Sequence, residues 1–205
     1  MIDFLAVFIT FFAVIDPIGT VPVFIAVTSK YDQKTKRKIA LLATIVAGLI
    51  LLFFIVIGEI LLKALSIPLP AFQISGGIVL FLFALNMIFG ESKPEEEIKN
   101  INKSHKDMAI FPIAVPSIAS PGAILAAVLL TENSMYNLFE QLQTALVMLS
   151  VLFVAYILML ASGIISRLIG TSGASVVSRV MGLILSAIAT TNILTGISEY
   201  YQLYV

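Results

Sequence analysis

Polar residues are scarce along this chain and collect in a few short stretches, leaving six apolar runs at about 3–28, 38–62, 69–90, 109–130, 142–167 and 175–197. Each run is close to the roughly 20 residues that a helix needs to cross a bilayer. None alternates apolar and polar positions over about ten residues, as barrel strands do. The pattern predicts an all-α integral membrane protein with six transmembrane helices. The only long hydrophilic stretch, 91–107, carries Glu91, Glu95, Glu96, Glu97 and Asp107 among its lysines. It divides the chain into a first three-helix unit at 1–90, a solvated connector at 91–108 and a second three-helix unit at 109–205.

Composition agrees with this reading. Of 205 residues 60% are hydrophobic and 12% charged, with a mean hydropathy of +1.08. Soluble domains carry roughly 25% charged residues, and a soluble fold of this length would leave too much of its apolar surface exposed. The bilayer is the expected solvent and partner. Net charge is zero with no basic face, so nucleic acid is not an expected partner. Cysteine is absent and His105 is the single histidine, so no metal site, cofactor or catalytic triad is expected. The start, Met1-Ile2-Asp3, is acidic rather than basic and is read as a retained span, not a cleaved signal.

Lysine and arginine set the orientation. Lys30, Lys34, Lys36, Arg37 and Lys38 follow the first helix, and Lys93, Lys99, Lys103 and Lys106 follow the third. Arg167 and Arg179 flank an expected turn after the fifth, and only Lys63 falls on the other side. Basic residues near helix ends stay cytoplasmic, so the expectation is a multi-pass protein of a prokaryotic plasma (inner) membrane with both termini outside. A rival layout, with segments one and four as re-entrant hairpins, fits the charges less well.

The two units resemble each other. Asp16-Pro17-Ile18-Gly19 interrupts the first apolar run, and Ser120-Pro121-Gly122 interrupts the fourth. Three helices per unit would insert the second upside down, giving two inverted repeats with helices 1 and 4 interrupted near the midplane, an arrangement recurrent in secondary transporters. Pro17 and Pro22 in one run, and Pro116 and Pro121 in the other, mark the expected helix breaks. Asp16 and Ser120 are favoured N-caps before a proline at the first helical position, so both read as helix restarts. Their positive ends attract anionic groups.

Asp16 is the one ionisable residue expected at mid-membrane, where charge is expensive and usually functional. It either faces an ammonium group, a sodium ion or a proton, or only caps the half-helix that follows. A carboxylate would then prefer the other end, near Ser117, Ser120, Gly122 and Ala123. A small zwitterion such as an α-amino acid matches that asymmetry. Asn86 in the third helix and Asn192 in the sixth, beside Thr190 and Thr191, are weaker gating candidates, and residues of this kind more often join packed helices. Glu59 is assigned no role.

The stretch Phe12-Ala13-Val14-Ile15-Asp16-Pro17-Ile18-Gly19-Thr20-Val21-Pro22-Val23-Phe24 resembles the first-helix signature of the MarC family, also classed as neutral amino acid transporters. Pro116-Ser117-Ile118-Ala119-Ser120-Pro121-Gly122-Ala123 resembles its fourth-helix signature. The resemblance covers essentially the whole chain. It implies transport of small neutral amino acids such as glycine and alanine, coupled to the proton gradient, with Asp16, Gly19, Thr20, Ser117, Ser120, Gly122 and Ala123 at the substrate site.

The leading expectation is therefore a secondary transporter, not an enzyme, with H+ or Na+ as coupling ion and export as open as uptake. No phosphate-binding Gly-x-x-x-x-Gly-Lys-Ser/Thr loop is present to use ATP. An ion channel or exchanger using Asp16 and freed carbonyls is the alternative, as is export of another small solute. Assembly into homo-oligomers is left open.

Overall fold

A computed structural model describes residues 2–89, 105–133 and 135–204. Most of the expected connector 91–108, with Lys93, Lys99 and Lys103, lies outside the described residues, as does the side chain of Arg167. The described residues are helical apart from short links, with no strand among them.

Among the described residues eight helices follow in order: α1 (Phe4–Ile15), α2 (Pro17–Thr28), α3 (Gln33–Ala64), α4 (Leu69–Phe89), α5 (His105–Met108), α6 (Pro121–Leu129), α7 (Leu138–Leu160) and α8 (Ser162–Tyr204). A wide-turn segment, Ala109–Ile118, links α5 towards α6. Five of these starts, those of α1, α2, α3, α6 and α7, are capped by side chains that satisfy otherwise unpaired N–H groups. Asp3 accepts from the N–H of Leu5 and Ala6 at 3.0 and 3.1 Å. Asp32 accepts from the Thr35 N–H at 3.3 Å, and its carboxyl is held below the usual range chiefly by the Thr35 hydroxyl, with backbone N–H groups adding to it. Asn137 and Glu140 form a reciprocal capping box at α7.

Among the described residues, five stretches are long and apolar enough to cross a membrane: Phe4–Thr28, Gln33–Ala64, Leu69–Phe89, Leu138–Leu160 and Arg179–Gln202. A sixth forms if Lys106–Ile118 and Pro121–Leu129, bent by 58°, count as one span. The bundle is apolar outside as well as inside. Leu49, Leu82 and Phe153 are more than half exposed, while Phe11, Phe24, Ile118, Leu125 and Met148 are fully buried. Burial alone does not sort these side chains, because lipid and core are equally apolar.

Packing follows a regular exchange of partners. α3 packs on the wide-turn segment and α6, as α7 packs on α1 and α2; α4 packs on α6, as α8 packs on α2. α4 and α8 share the most extensive contact. There a Cβ added at Gly77 would lie 3.1 Å from the Ala189 carbonyl and 2.8 Å from Ile193, and one at Gly182 would lie 3.0 Å from the Ala84 carbonyl and 2.9 Å from Ile88. Small residues let the two backbones touch.

Two expectations are corrected. The turn expected between 167 and 175 is helical; the chain turns instead at Ala161, and α8 runs 43 residues from Ser162 to Tyr204. The break in the apolar pattern after 167 suggested a turn, but the few small and polar residues there can stay helical, and even a glycine costs a helix only about 1 kcal/mol. Pro22 does not break its helix. It sits inside α2, one turn after the restart at Pro17, and removes one backbone donor without ending the segment.

Candidate functional site

The first apolar run stops and restarts at one residue. Asp16 adopts a left-handed conformation, φ 49° and ψ 64°, which asparagine and aspartate tolerate better than most side chains. Its N–H donates to the Phe12 carbonyl at 3.1 Å and closes α1. Its Oδ1 accepts the N–H of Gly19 at 2.9 Å and opens α2. Its carbonyl accepts both the N–H and the hydroxyl of Thr20, each at 3.0 Å. Pro17 at the first helical position has no N–H to satisfy. Asp16 is 1% exposed.

Gly19 is a steric requirement of this cap. A Cβ there would strike the Asp16 carboxylate, with its Cγ 2.6 Å away. The carboxylate folds over the first turn of α2, at the positive end of the helix dipole.

The second break is spread over several residues. Phe111 and Val115, each preceding a proline, are extended at φ/ψ −131°/123° and −132°/125°, because proline pushes its predecessor out of the helical region. The Ala119 N–H reaches back to the Ala114 carbonyl at 2.8 Å, and Ser120 at φ −72°, ψ 160° caps α6. Ser120 Oγ accepts the Ala123 N–H at 3.1 Å and donates to the Val14 carbonyl at 2.7 Å. Val14 lies in the last turn of α1, where carbonyls lose their in-helix partners. One buried hydroxyl therefore caps the second restart and ties it to the first break.

The site residues expected from sequence occupy different situations here. Asp16, Thr20, Ser117 and Ser120 are buried polar groups, and Gly19, Gly122 and Ala123 are buried beside them in sequence. Thr20 and Ser120 spend their hydroxyls on backbone carbonyls. Ser117 Oγ is buried and has no hydrogen-bond partner. In α6, capping occupies the N–H groups of Ala123 and Ile124, and Pro121 has none, so at most Gly122 has an N–H to offer a ligand. Leu80 of α4 closes over it: a Cβ on Gly122 would collide with Leu80 Cδ1.

Asn86 is exposed on α4 and Asn192 half-buried on α8, while the hydroxyls of Thr190 and Thr191 bond back to the carbonyls of Ser186 and Ala187. Two features escaped the sequence reading. Glu59 accepts the Asn133 N–H at 2.7 Å and pairs with Lys63, fastening α3 to the loop before α7. Thr144 is fully buried with no partner, although Thr20, Thr28, Thr44 and Thr131 all bond to the carbonyl four residues back. No cluster of three or more potential metal ligands occurs among the described residues.

Residues 1–201 match the family described as "MarC family integral membrane protein". A "UPF0056 membrane protein" of Methanocaldococcus jannaschii is 36% identical over 197 residues, covering 95% of each chain. Another from Archaeoglobus fulgidus is 34% identical over 201 residues, covering 96% of this chain and 92% of the relative. A third, from Aquifex aeolicus, is 31% identical over 204 residues, again with 96% and 92% covered. No solved structure matches the chain at a significant level.

Proposed function

The chain belongs to the MarC family of integral membrane proteins, and from that premise we propose that it is a secondary transporter of small neutral amino acids. The substrate sits between the two helix breaks. The observation that carries this reading is the polar junction at the breaks: Asp16, Ser117 and Ser120, all buried, in a chain that is 60% hydrophobic. Intramembrane polar groups are costly, and an irregular backbone is tolerated only where protein or a wet cavity satisfies it.

The roles follow from what each group has left to offer. The Asp16 carboxylate, charged and capped, receives the substrate ammonium. The Gly122 N–H and the unspent Ser117 hydroxyl receive its carboxylate, at the positive end of α6. Leu80 over Gly122 marks a closed state, and its withdrawal admits substrate. A small side chain is selected because Leu80 and the α6 backbone approach so closely.

The reading takes the chain as two inverted three-helix repeats, with the breaks near the midplane of a prokaryotic plasma membrane and both termini outside. Support comes from the exchange of packing partners between the halves and from the reciprocal Gly77–Ala189 and Gly182–Ala84 contacts, related by a constant shift along the chain. Asp16 also falls halfway along the span Phe4–Thr28. Rocking of one repeat against the other around the junction then supplies alternating access.

The test is uptake and counterflow of labelled glycine, alanine and serine in proteoliposomes, under imposed proton or sodium gradients. Amino acid exchange that Asp16→Asn and Gly122→Val each abolish, with insertion intact, is the expected result. Ion conductance without amino acid exchange would overturn it.

A further inference from the structure

α3 is 32 residues long, about 48 Å at 1.5 Å per residue, and so outreaches the roughly 30 Å hydrocarbon core. One of its faces, with a face of α7, forms an outward-opening groove of about 400 Å³. On α3 the lining is Leu41, Thr44, Ile45, Gly48, Leu49 and Leu52; on α7 it is Leu149, Leu152, Phe153 and Tyr156. Gly48 makes the hollow, since a Cβ there would lie 3.4 Å from Leu152. The Thr44 hydroxyl is spent on the Ala40 carbonyl, so that side chain offers the groove no free donor.

From Leu41 to Leu52 the groove runs about 16 Å along α3, the depth of one leaflet. Its face continues into Lys34, Arg37 and Lys38, at seven, four and three residues before Leu41, which places all three on the same stripe. These side chains are exposed, and none has an ion pair among the described residues. An apolar channel one leaflet deep thus ends in three cations at headgroup level.

We propose that this groove binds an anionic phospholipid, with one acyl chain between α3 and α7 and the phosphate held by Lys34, Arg37 and Lys38. Basic clusters where transmembrane helices meet the headgroups recognise such lipids, and long basic side chains reach the interface readily. A second copy of the chain fits worse. A two-fold interface brings the same patch of each subunit together, and here it would set three cations against three at the same depth.

The chain has no tryptophan, so Phe153→Trp places a single fluorescent reporter in the groove, and Leu82→Trp places one on the exposed face of α4. The full chain is reconstituted in phosphatidylcholine bilayers containing either brominated phosphatidylglycerol or brominated phosphatidylcholine at equal fraction. At position 153 phosphatidylglycerol should quench with at least about fivefold higher apparent affinity, the effect of one engaged basic residue; at position 82 the two lipids should quench alike. Changing Lys34, Arg37 and Lys38 together to Gln should abolish the preference at position 153. Equal quenching by both lipids at position 153, or a preference that survives the triple change, overturns the proposal. So does a reporter in the groove that is shielded from both lipids while the reporter on α4 is quenched, which would put a second copy in the groove. The comparison of the two reporter positions needs no charge substitution, so it stands even if the triple variant does not fold.

Discussion

The two helix breaks solve one problem in opposite ways. At the first, a single left-handed aspartate closes one helix and opens the next, and the run Phe4–Thr28 continues as one span. At the second, extended residues at Phe111 and Val115 precede a neutral serine cap, and the halves diverge by 58°. The compact break holds an ionisable carboxyl group, Asp16; the cap of the open one, Ser120, is a neutral hydroxyl. The third residue after each cap records the difference. A bulky carboxylate needs Gly19 there, whereas the shorter Ser120 leaves room for the Cβ of Ala123. In the transport mechanism we propose, this asymmetry between otherwise matching breaks gives the junction a direction, with an ammonium end and a carboxylate end.

The sharpest way to break the comparison is to give the first break the second's residue. Gly19→Ala drives its Cβ into the Asp16 carboxylate, which must leave its cap while still buried. A lost cap costs about 1 kcal/mol, and a buried polar group that loses its hydrogen-bond donor about 1–3. Detergent melting curves should show a large drop in midpoint, and transport should vanish.

Asp16→Asn comes next. Asparagine tolerates the left-handed conformation and accepts the Gly19 N–H through its amide oxygen, so melting should shift by less than about 1 kcal/mol. Transport should nonetheless fall to the level of empty liposomes. A variant that melts normally and transports normally would reduce Asp16 to a cap.

Ser120→Ala removes two hydrogen bonds at once and leaves a buried Val14 carbonyl without its donor, a loss of about 2–3 kcal/mol in chemical denaturation. Ser117→Ala, a few residues away, loses no bond and leaves no buried partner unpaired, so it should cost clearly less stability than Ser120→Ala. Its effect should appear as a raised KM for amino acid exchange. Equal stability losses from the two alanines would contradict the division of labour between these serines.

Much of this could be read from residue order. The cap-proline pairs Asp16-Pro17 and Ser120-Pro121 announce restarts because their chemistry is local, and the apolar runs announce helices because the bilayer imposes their length. The continuity of α8 through 168–174 was hidden, since small polar residues suit both a turn and a helix packed in a bundle. Pro22 misled for a related reason: a proline tells that one donor is missing, while packing decides whether the helix ends. The Ser120–Val14 bond was beyond reach, because it joins residues 106 positions apart. So was Leu80 over Gly122, which depends on how α4 lies against α6.

The chain has no cysteine, and this permits a direct measurement on the junction. Ser117→Cys introduces one thiol beside the unspent position, and its alkylation by a small membrane-permeant maleimide is followed with and without excess alanine. Alanine should slow the reaction at position 117 and leave it unchanged for a cysteine at Ser29, exposed just past the end of α2. A thiol at position 117 that reacts at the same rate with and without alanine, in protein still capable of alanine counterflow, would place the substrate somewhere other than between the two breaks.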